Sequence, residues 1–207
     1  MRESAYEAAR NSIKKEAETI FELLDYLDRE TFERAAELIC AAPRIVTSGC
    51  GNSGIAAKKF AHCLCCIEKS AIFMPTGEAV HGGMGFLKTG DALILVSRGG
   101  KTAELLPMAE IARKKGAFVI TITENAASPL AKGSDVVLLL KNIEESDPTG
   151  LMATSSFMAP AALFDAILSA LIVETGYSGD RFGLIHPGGA VGEMLSTDKE
   201  KNHAEKL

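Results

Sequence analysis

Tryptophan is absent from this 207-residue sequence, histidine occurs only four times, and positive charge is in deficit, with 22 Lys and Arg against 27 Asp and Glu. The net charge of −5 gives no basic surface of the kind nucleic-acid binding rests on. No nucleic-acid partner is expected, and any anionic ligand has to be held by local groups. No uninterrupted apolar run approaches the roughly 18 residues that span a bilayer, and Met1-Arg-Glu-Ser4 does not read as a signal peptide. No membrane partner is expected, and the implied location is cytoplasmic. Linkers, repeats and low-complexity segments are missing too; only after Ser196 does the sequence turn into a charged tail. What remains is 47% hydrophobic and 24% charged, the composition of a chain that buries a core rather than of a disordered one. At this length one compact domain can be stable alone.

Cysteine is present, but in the wrong pattern for a disulfide framework. Cys40, Cys50, Cys63, Cys65 and Cys66 are odd in number, and three of them crowd together. Cys63 and Cys66 form a CxxC beside His62, yet a structural zinc site takes about four ligands and no second pair exists. The stretch lies in an apolar helical segment, where free cysteine acts as a small hydrophobe. It reads as core, and no metal is expected.

Residues 1–43 read as a helical pair packing on the domain. Ser4 and Glu7 have capping-box spacing at the start of a helix over 4–27, in which Ala9, Ile13, Ala17, Ile20, Leu24 and Leu27 recur at three or four. A second helix over 31–42 carries Phe32, Ala35, Ala36 and Ile39 and ends at Pro43. Neither holds a chemical motif, so their use is packing, including against another subunit. From 44 to 196 short apolar runs alternate with helical stretches. Strands are expected over 45–47, 70–74, 92–97, 118–123 and 136–140, each nearly apolar throughout, as strands covered on both faces are. Helices are expected over 53–67, 102–115, 126–132 and 154–175. Five βα units in this order predict an α/β fold: a three-layer αβα sandwich around a five-stranded, doubly wound parallel sheet of flavodoxin-like type. Residues 197–207 read as a polar tail.

Ligands of such sheets bind beyond the carboxyl ends of the strands, near the point where strand order reverses. The first strand runs into Ser48-Gly-Cys-Gly-Asn-Ser-Gly54, whose Gly51, Asn52 and Ser53 can bring backbone amides and a helix N-terminus to an anion. Gly49, Gly51 and Gly54 also match GxGxxG, but no acidic residue closes the second strand to bind a ribose, so a dinucleotide cofactor is not expected. The third strand runs into Ser97-Arg-Gly-Gly-Lys-Thr102. A P-loop would need glycine at position 95, which is Leu95. One such turn is explained as a capped helix start. Two at the switch point predict a single phosphate site built from Gly51, Asn52, Ser53, Ser97, Gly100, Lys101 and Thr102. Groups able to move protons collect in three further loops, at His81, at Glu144 and Glu145, and at His186. His62 and His203 receive no role.

From about Arg44 to Leu195, about three quarters of the chain, these motifs resemble the SIS-domain sugar isomerases, and within them the arabinose-5-phosphate isomerases. The matching features are the GxGxSG turn, the S-x-x-G-x-T turn with Glu104 after it, and the A-x-H-G loop at His81. Glu145, the Gly-Leu-x-x-Thr-Ser-Ser run at 150–156 and His-Pro-Gly-Gly-Ala at 186–190 complete the set. The resemblance implies a dimer or tetramer with sites built between subunits. It implies that Ser53, Ser97 and Thr102 hold the phosphate while His81, Glu104, Glu145 and His186 surround the sugar. Three departures stand out. Many of those isomerases continue into a pair of CBS domains and this sequence ends instead, so regulation through them is expected to be absent. Asn52 replaces their usual Lys. Gly99 replaces a usual Ser, and Lys101 a frequent Glu, which can move positive charge from one turn to the other.

The activity implied is aldose–ketose isomerisation of a phosphorylated sugar, arabinose 5-phosphate and ribulose 5-phosphate first, without metal or cofactor. Proton transfer through an enediol needs a base at adjacent carbons and an acid–base partner at the oxygens, and Glu and His supply both. Glu145 or His186 is the expected C–H base, with His81 and Glu104 assisting at hydroxyls. The alternative is a non-catalytic sugar-phosphate sensor, which would keep the phosphate turns but could lose the acid–base set.

Overall fold

Strand residues of this chain alternate between two helix-covered faces, and that alternation defines the layers. In a computed structural model describing residues 1–141, 143–190, 192 and 194, Ala92, Ile94 and Val96 point into one core and Leu93 and Leu95 into another. The strands are β1 (Ile45–Gly49), β2 (Ala71–Phe73), β3 (Ala92–Val96), β4 (Phe118–Thr123) and β5 (Val136–Leu139). All pair in parallel, in the order β2-β1-β3-β4-β5. This is the expected doubly wound sheet, and each strand falls within two residues of its expected bounds.

One face is covered by α2 (Arg29–Ala41), α3 (Gly51–Cys66) and α7 (Ser155–Thr175), with α1 (Glu3–Tyr26) packed outside against α7. Phe60 of α3 stacks on Phe164 of α7, ring centroids 4.2 Å apart. The other face is covered by α4 (Thr76–Ala79), a 3₁₀ turn (Gly83–Phe86), α5 (Leu106–Lys114) and α6 (Pro129–Lys132). A last helix, α8 (Gly179–Ile185), follows α7. Leu23, Ala35, Leu38 and Ile39 belong to the same core as the strands, so α1 and α2 are packed on the sheet domain.

Several local expectations fail for physical reasons. Ser4 does not cap α1: the helix starts at Glu3, with Arg2 as its uncapped N-cap. Asp28 caps α2 instead, its carboxylate accepting from Thr31 N at 2.8 Å. The cysteine cluster is not core. Cys65 is exposed and Cys63 and Cys66 half-buried, with His62 Nε2 3.7 Å from Cys66 Sγ, because this part of α3 turns an edge to solvent. α7 is long and apolar enough, by length and composition, to cross a membrane, contrary to the reading from apolar runs alone. Asp165 and Ser169 interrupt its runs, yet Leu163, Phe164, Ile167 and Leu171 are fully packed in the core. The polar tail at 197–207 and His203 lie outside the described residues.

Candidate active site

Strand order reverses between β1 and β3, and the two glycine-rich turns leave their carboxyl ends side by side, with Gly49 opposite Val96. The first turn is set by a close approach. A Cβ on Gly54 would lie 2.5 Å from Gly49 O, so the start of α3 can press against the end of β1 only without side chains there. Buried hydroxyls fasten the strand beneath it: Thr47 Oγ1 donates to Ala57 O at 2.8 Å, and Ser48 Oγ to Met74 O at 2.7 Å. Cys50, the N-cap of α3, offers no side-chain cap, which leaves the first amides of this helix facing the shelf between the turns.

The second turn is bonded internally. Ser97 is buried, its Oγ 2.8 Å from Thr102 Oγ1, and it accepts from Gly100 N at 3.1 Å. Gly100 has φ +64° and a Cβ there would fall 2.0 Å from Ser128 Oγ, so the turn admits no other residue. Gly51, Asn52, Lys101 and Glu104 are exposed around this shelf, and Lys101 makes no salt bridge among the described residues. His81 lies exposed in the turn between α4 and the 3₁₀ turn, beyond β2 on the far side of β1.

Glu145 is held differently from every other candidate. It is 8% exposed, in the connection from β5 to α7. Its Oε2 accepts from Thr154 N at 2.9 Å, Ser156 N at 3.1 Å and Thr154 Oγ1 at 3.0 Å, which caps the start of α7. Its Oε1 accepts from Arg98 Nη1 at 2.6 Å. Burial pushes this carboxyl up, but the hydrogen bonds from Ser156 and Thr154 prevail and hold it below the usual glutamate range. Arg98 also pairs through Nε with Glu124 at 2.8 Å and reaches Ile143 O, so one guanidinium ties together the turns after β3, β4 and β5. Burial raises the Glu124 carboxyl, against the pull of the Ile143 amide and Arg98.

Sequence reasoning missed Arg98 and Glu124. Arg98 sits inside the turn read as a phosphate cradle, and its guanidinium turns to carboxylates instead. The one available signal was the excess of acidic residues, Glu124, Glu144 and Glu145, behind neighbouring strands.

His186 is not brought to this shelf within the chain. Its ring stacks on Phe182, centroids 4.9 Å apart, and its Nδ1 is buried without a partner among the described residues. α7 begins beside Glu145 and runs 21 residues, about 30 Å, away from it before α8 starts. Arg181 of α8 then pairs with Glu68, just past the end of α3, a 16-residue helix whose first turn is the phosphate turn about 24 Å back. His186 therefore lies toward the opposite end of the strands. A cavity of about 600 Å³ between α2 and α7, lined by Phe32, Ala36, Cys40 and Leu171, touches none of the candidate residues.

The profile described as "SIS domain" matches residues 37–170 of this chain. The arabinose 5-phosphate isomerase KdsD of Pseudomonas aeruginosa is 34% identical over 189 residues, which cover 91% of this chain and 58% of that protein. The chain thus spans little more than half the length of that relative. Among solved structures, a protein from Listeria monocytogenes is 38% identical with a TM-score of 0.87, covering 91% of this chain and all of that one. Protein c3406 of E. coli CFT073, in complex with A5P, is 28% identical with a TM-score of 0.84, covering 90% of this chain and all of its own.

Proposed function

This chain belongs to the SIS domain family, and on that premise we propose that it is a sugar-phosphate aldose–ketose isomerase. The observation that carries the reading is the pair of turns at the β1/β3 reversal, where Ser97, Thr102 and the uncapped start of α3 offer hydroxyls and amides to one anion. Arabinose 5-phosphate is the first substrate to assign, because the name of the KdsD relative and the A5P of the c3406 structure both point to it, and ribulose 5-phosphate is the ketose its isomerisation would give. The enzyme is placed in the cytoplasm, and no metal or cofactor is assigned to the chemistry.

In this mechanism the phosphate sits on the shelf of Gly51, Asn52, Ser53, Ser97, Gly100, Lys101 and Thr102, which fixes the sugar carbons beside the acid–base groups. A base removes the proton from the carbon next to the carbonyl as an acid protonates the carbonyl oxygen; the enediol then collapses as the deprotonated acid takes the proton from the other hydroxyl and the carbon-bound proton is returned to the former carbonyl carbon. Base strength suits a group whose pKa is near the working pH. Glu145, kept ionised by four hydrogen bonds, is suited to receiving sugar hydroxyls and holding the geometry. His186 carries an imidazole, the side chain most often used to move protons in such reactions. At the far end of its own chain, it can reach a phosphate shelf only as a residue of a second copy. We therefore read the site as composite, with His81, Glu104 and Glu145 from one chain and His186 from another, in a dimer or tetramer. The exposed Ile13, Phe21 and Leu24 of α1 and Leu184 of α8 are apolar surface available for that assembly.

The second reading, a sugar-phosphate sensor without turnover, is favoured by one observation: a single chain does not assemble its own acid–base set. One experiment separates the two. Purified protein is incubated with arabinose 5-phosphate and other pentose and hexose phosphates, and the products are resolved as sugar phosphates. Formation of ketose supports the isomerase; saturable binding without conversion supports the sensor.

A further inference from the structure

Residues 143–154, between β5 and α7, form neither helix nor strand, yet the carboxylate they carry is tightly held. From outside, the loop is gripped by α1. Ser12, Lys15 and Glu16 lie three and four residues apart, so they share one face of that helix. All three reach the loop. Ser146 Oγ donates to Glu16 Oε1 at 3.0 Å and accepts from Ser12 Oγ at 2.7 Å. Lys15 Nζ pairs with Glu144 Oε2 at 2.8 Å. Further along the same helix, the Lys141 ammonium lies 4.9 Å from the centre of the Tyr26 ring. On the inner side Ser146 N donates to Thr154 Oγ1 at 2.8 Å, and that hydroxyl donates to Glu145 Oε2 at 3.0 Å. A continuous line of hydrogen bonds thus joins the first helix to the candidate site.

We propose that α1 is a strap that positions Glu145, with Ser12, Lys15 and Glu16 as positioning residues acting through the 143–154 loop. This rests on the reading of Glu145 as part of the sugar site. An isolated surface ion pair such as Lys15–Glu144 contributes little. Three contacts from one rigid helix face, two of them through part-buried hydroxyls, constrain a loop far more than one pair does. α1 keeps its place without them, because Thr19 and Leu23 are buried and the helix packs along α7. Its polar face can therefore be altered without unfolding the chain.

The test compares the full chain with two triple variants. Ser12→Ala/Lys15→Ala/Glu16→Ala removes the grip; Ser12→Thr/Lys15→Arg/Glu16→Gln keeps donors and acceptors. Amide exchange in 143–154 should be about tenfold faster in the alanine variant and unchanged in the conservative one. On arabinose 5-phosphate, the alanine variant should lose kcat roughly fivefold with KM nearly constant, since the phosphate shelf is untouched. Unchanged exchange would overturn the strap. Faster exchange with full kcat would overturn the positioning role. If the wild type turns over no sugar phosphate, the isomerase reading fails by itself, and the strap is still judged by exchange.

Discussion

Glu145 and His186 hold their polar atoms in opposite ways. Glu145 accepts from Arg98, Thr154 and Ser156, and both of its oxygens are occupied. His186 stacks on one aromatic ring, leaves Nδ1 buried without a partner among the described residues, and adjoins Leu184 at 76% exposure. Buried polar groups are nearly always paired, so an orphaned imidazole nitrogen beside exposed apolar surface marks a place awaiting another surface. Among the described residues the carboxylate end is finished within one chain, and the histidine end is not. That difference, rather than the residue types, argues for a two-chain site.

The largest effect should come from the unfinished end. His186→Asn keeps size and hydrogen bonding but cannot carry the proton, so kcat should fall about 10²-fold or more while phosphate binding survives. The comparison sharpens on mixing. Co-assembly of His186→Asn with Glu104→Gln, each inactive alone, should restore about a quarter of the activity, because random pairing leaves one composite site in four intact. No recovery from mixed assemblies, or a 22 kDa particle by light scattering, would remove the second copy from the site.

The finished end should respond in stability first. Glu145→Gln leaves Arg98 with one carboxylate fewer and the start of α7 with a weaker cap, for a loss of about 2 kcal/mol in chemical denaturation at pH 7. The pH dependence follows from the direction of its shift. A carboxyl held below its ordinary 4.5 when folded stabilises the protein above that value, and the contribution is lost as pH falls through the lower folded pKa. Wild type and variant should therefore converge only once the pH has fallen below that lowered folded pKa. Glu124, raised by burial, works the other way: it favours folding as pH falls from neutrality through its raised pKa. A stability gap that never closes as the pH is lowered would mean Glu145 contributes by packing rather than by charge.

The fold was largely legible because parallel strands covered on both faces leave unbroken apolar runs. The fourth strand was read to the residue, Phe118 to Thr123. The two glycine- and hydroxyl-rich turns were legible as turns at the strand ends because such residues after strands have a local reason to be there. Arg98 was not, since its partners Glu124 and Glu145 lie 26 and 47 residues on and no periodicity connects them. α8 escaped as well: seven residues of Gly-Asp-Arg-Phe-Gly-Leu-Ile are too short and too glycine-rich to show a helical stripe. The location of His186 depends on the length of α7, so a motif that names the residue says nothing of which end it occupies.

A smaller effect is expected where the site is built from hydroxyls. Thr102→Val removes one donor to the anion and the partner of Ser97 Oγ at 2.8 Å. A net loss of about 1 kcal/mol corresponds to roughly fivefold weaker inhibition by inorganic phosphate. Titration calorimetry with phosphate alone reads this without turnover. Unchanged affinity would move the anion off the second turn and leave that turn as a fold element only.

The smallest effect concerns Lys101. The resembling isomerases usually carry Lys where this chain has Asn52, and often Glu where it has Lys101, and we propose that Lys101 compensates for Asn52. Both positions are exposed, and charges in water interact weakly and are screened beyond about 10 Å at 0.1 M salt. Lys101→Ala should raise KM and weaken phosphate inhibition about threefold at low salt, with both effects fading near 0.5 M. A merely structural lysine would show no such salt dependence. The reciprocal change decides the matter: Asn52→Lys in the Lys101→Ala background returns a cation to the opposite wall of the same shelf, so inhibition should recover at low salt. Lys101→Ala with wild-type phosphate inhibition at low salt would sink the compensation. So would recovery that ignores salt, because the restored contact would then be a fixed hydrogen bond rather than a screened charge.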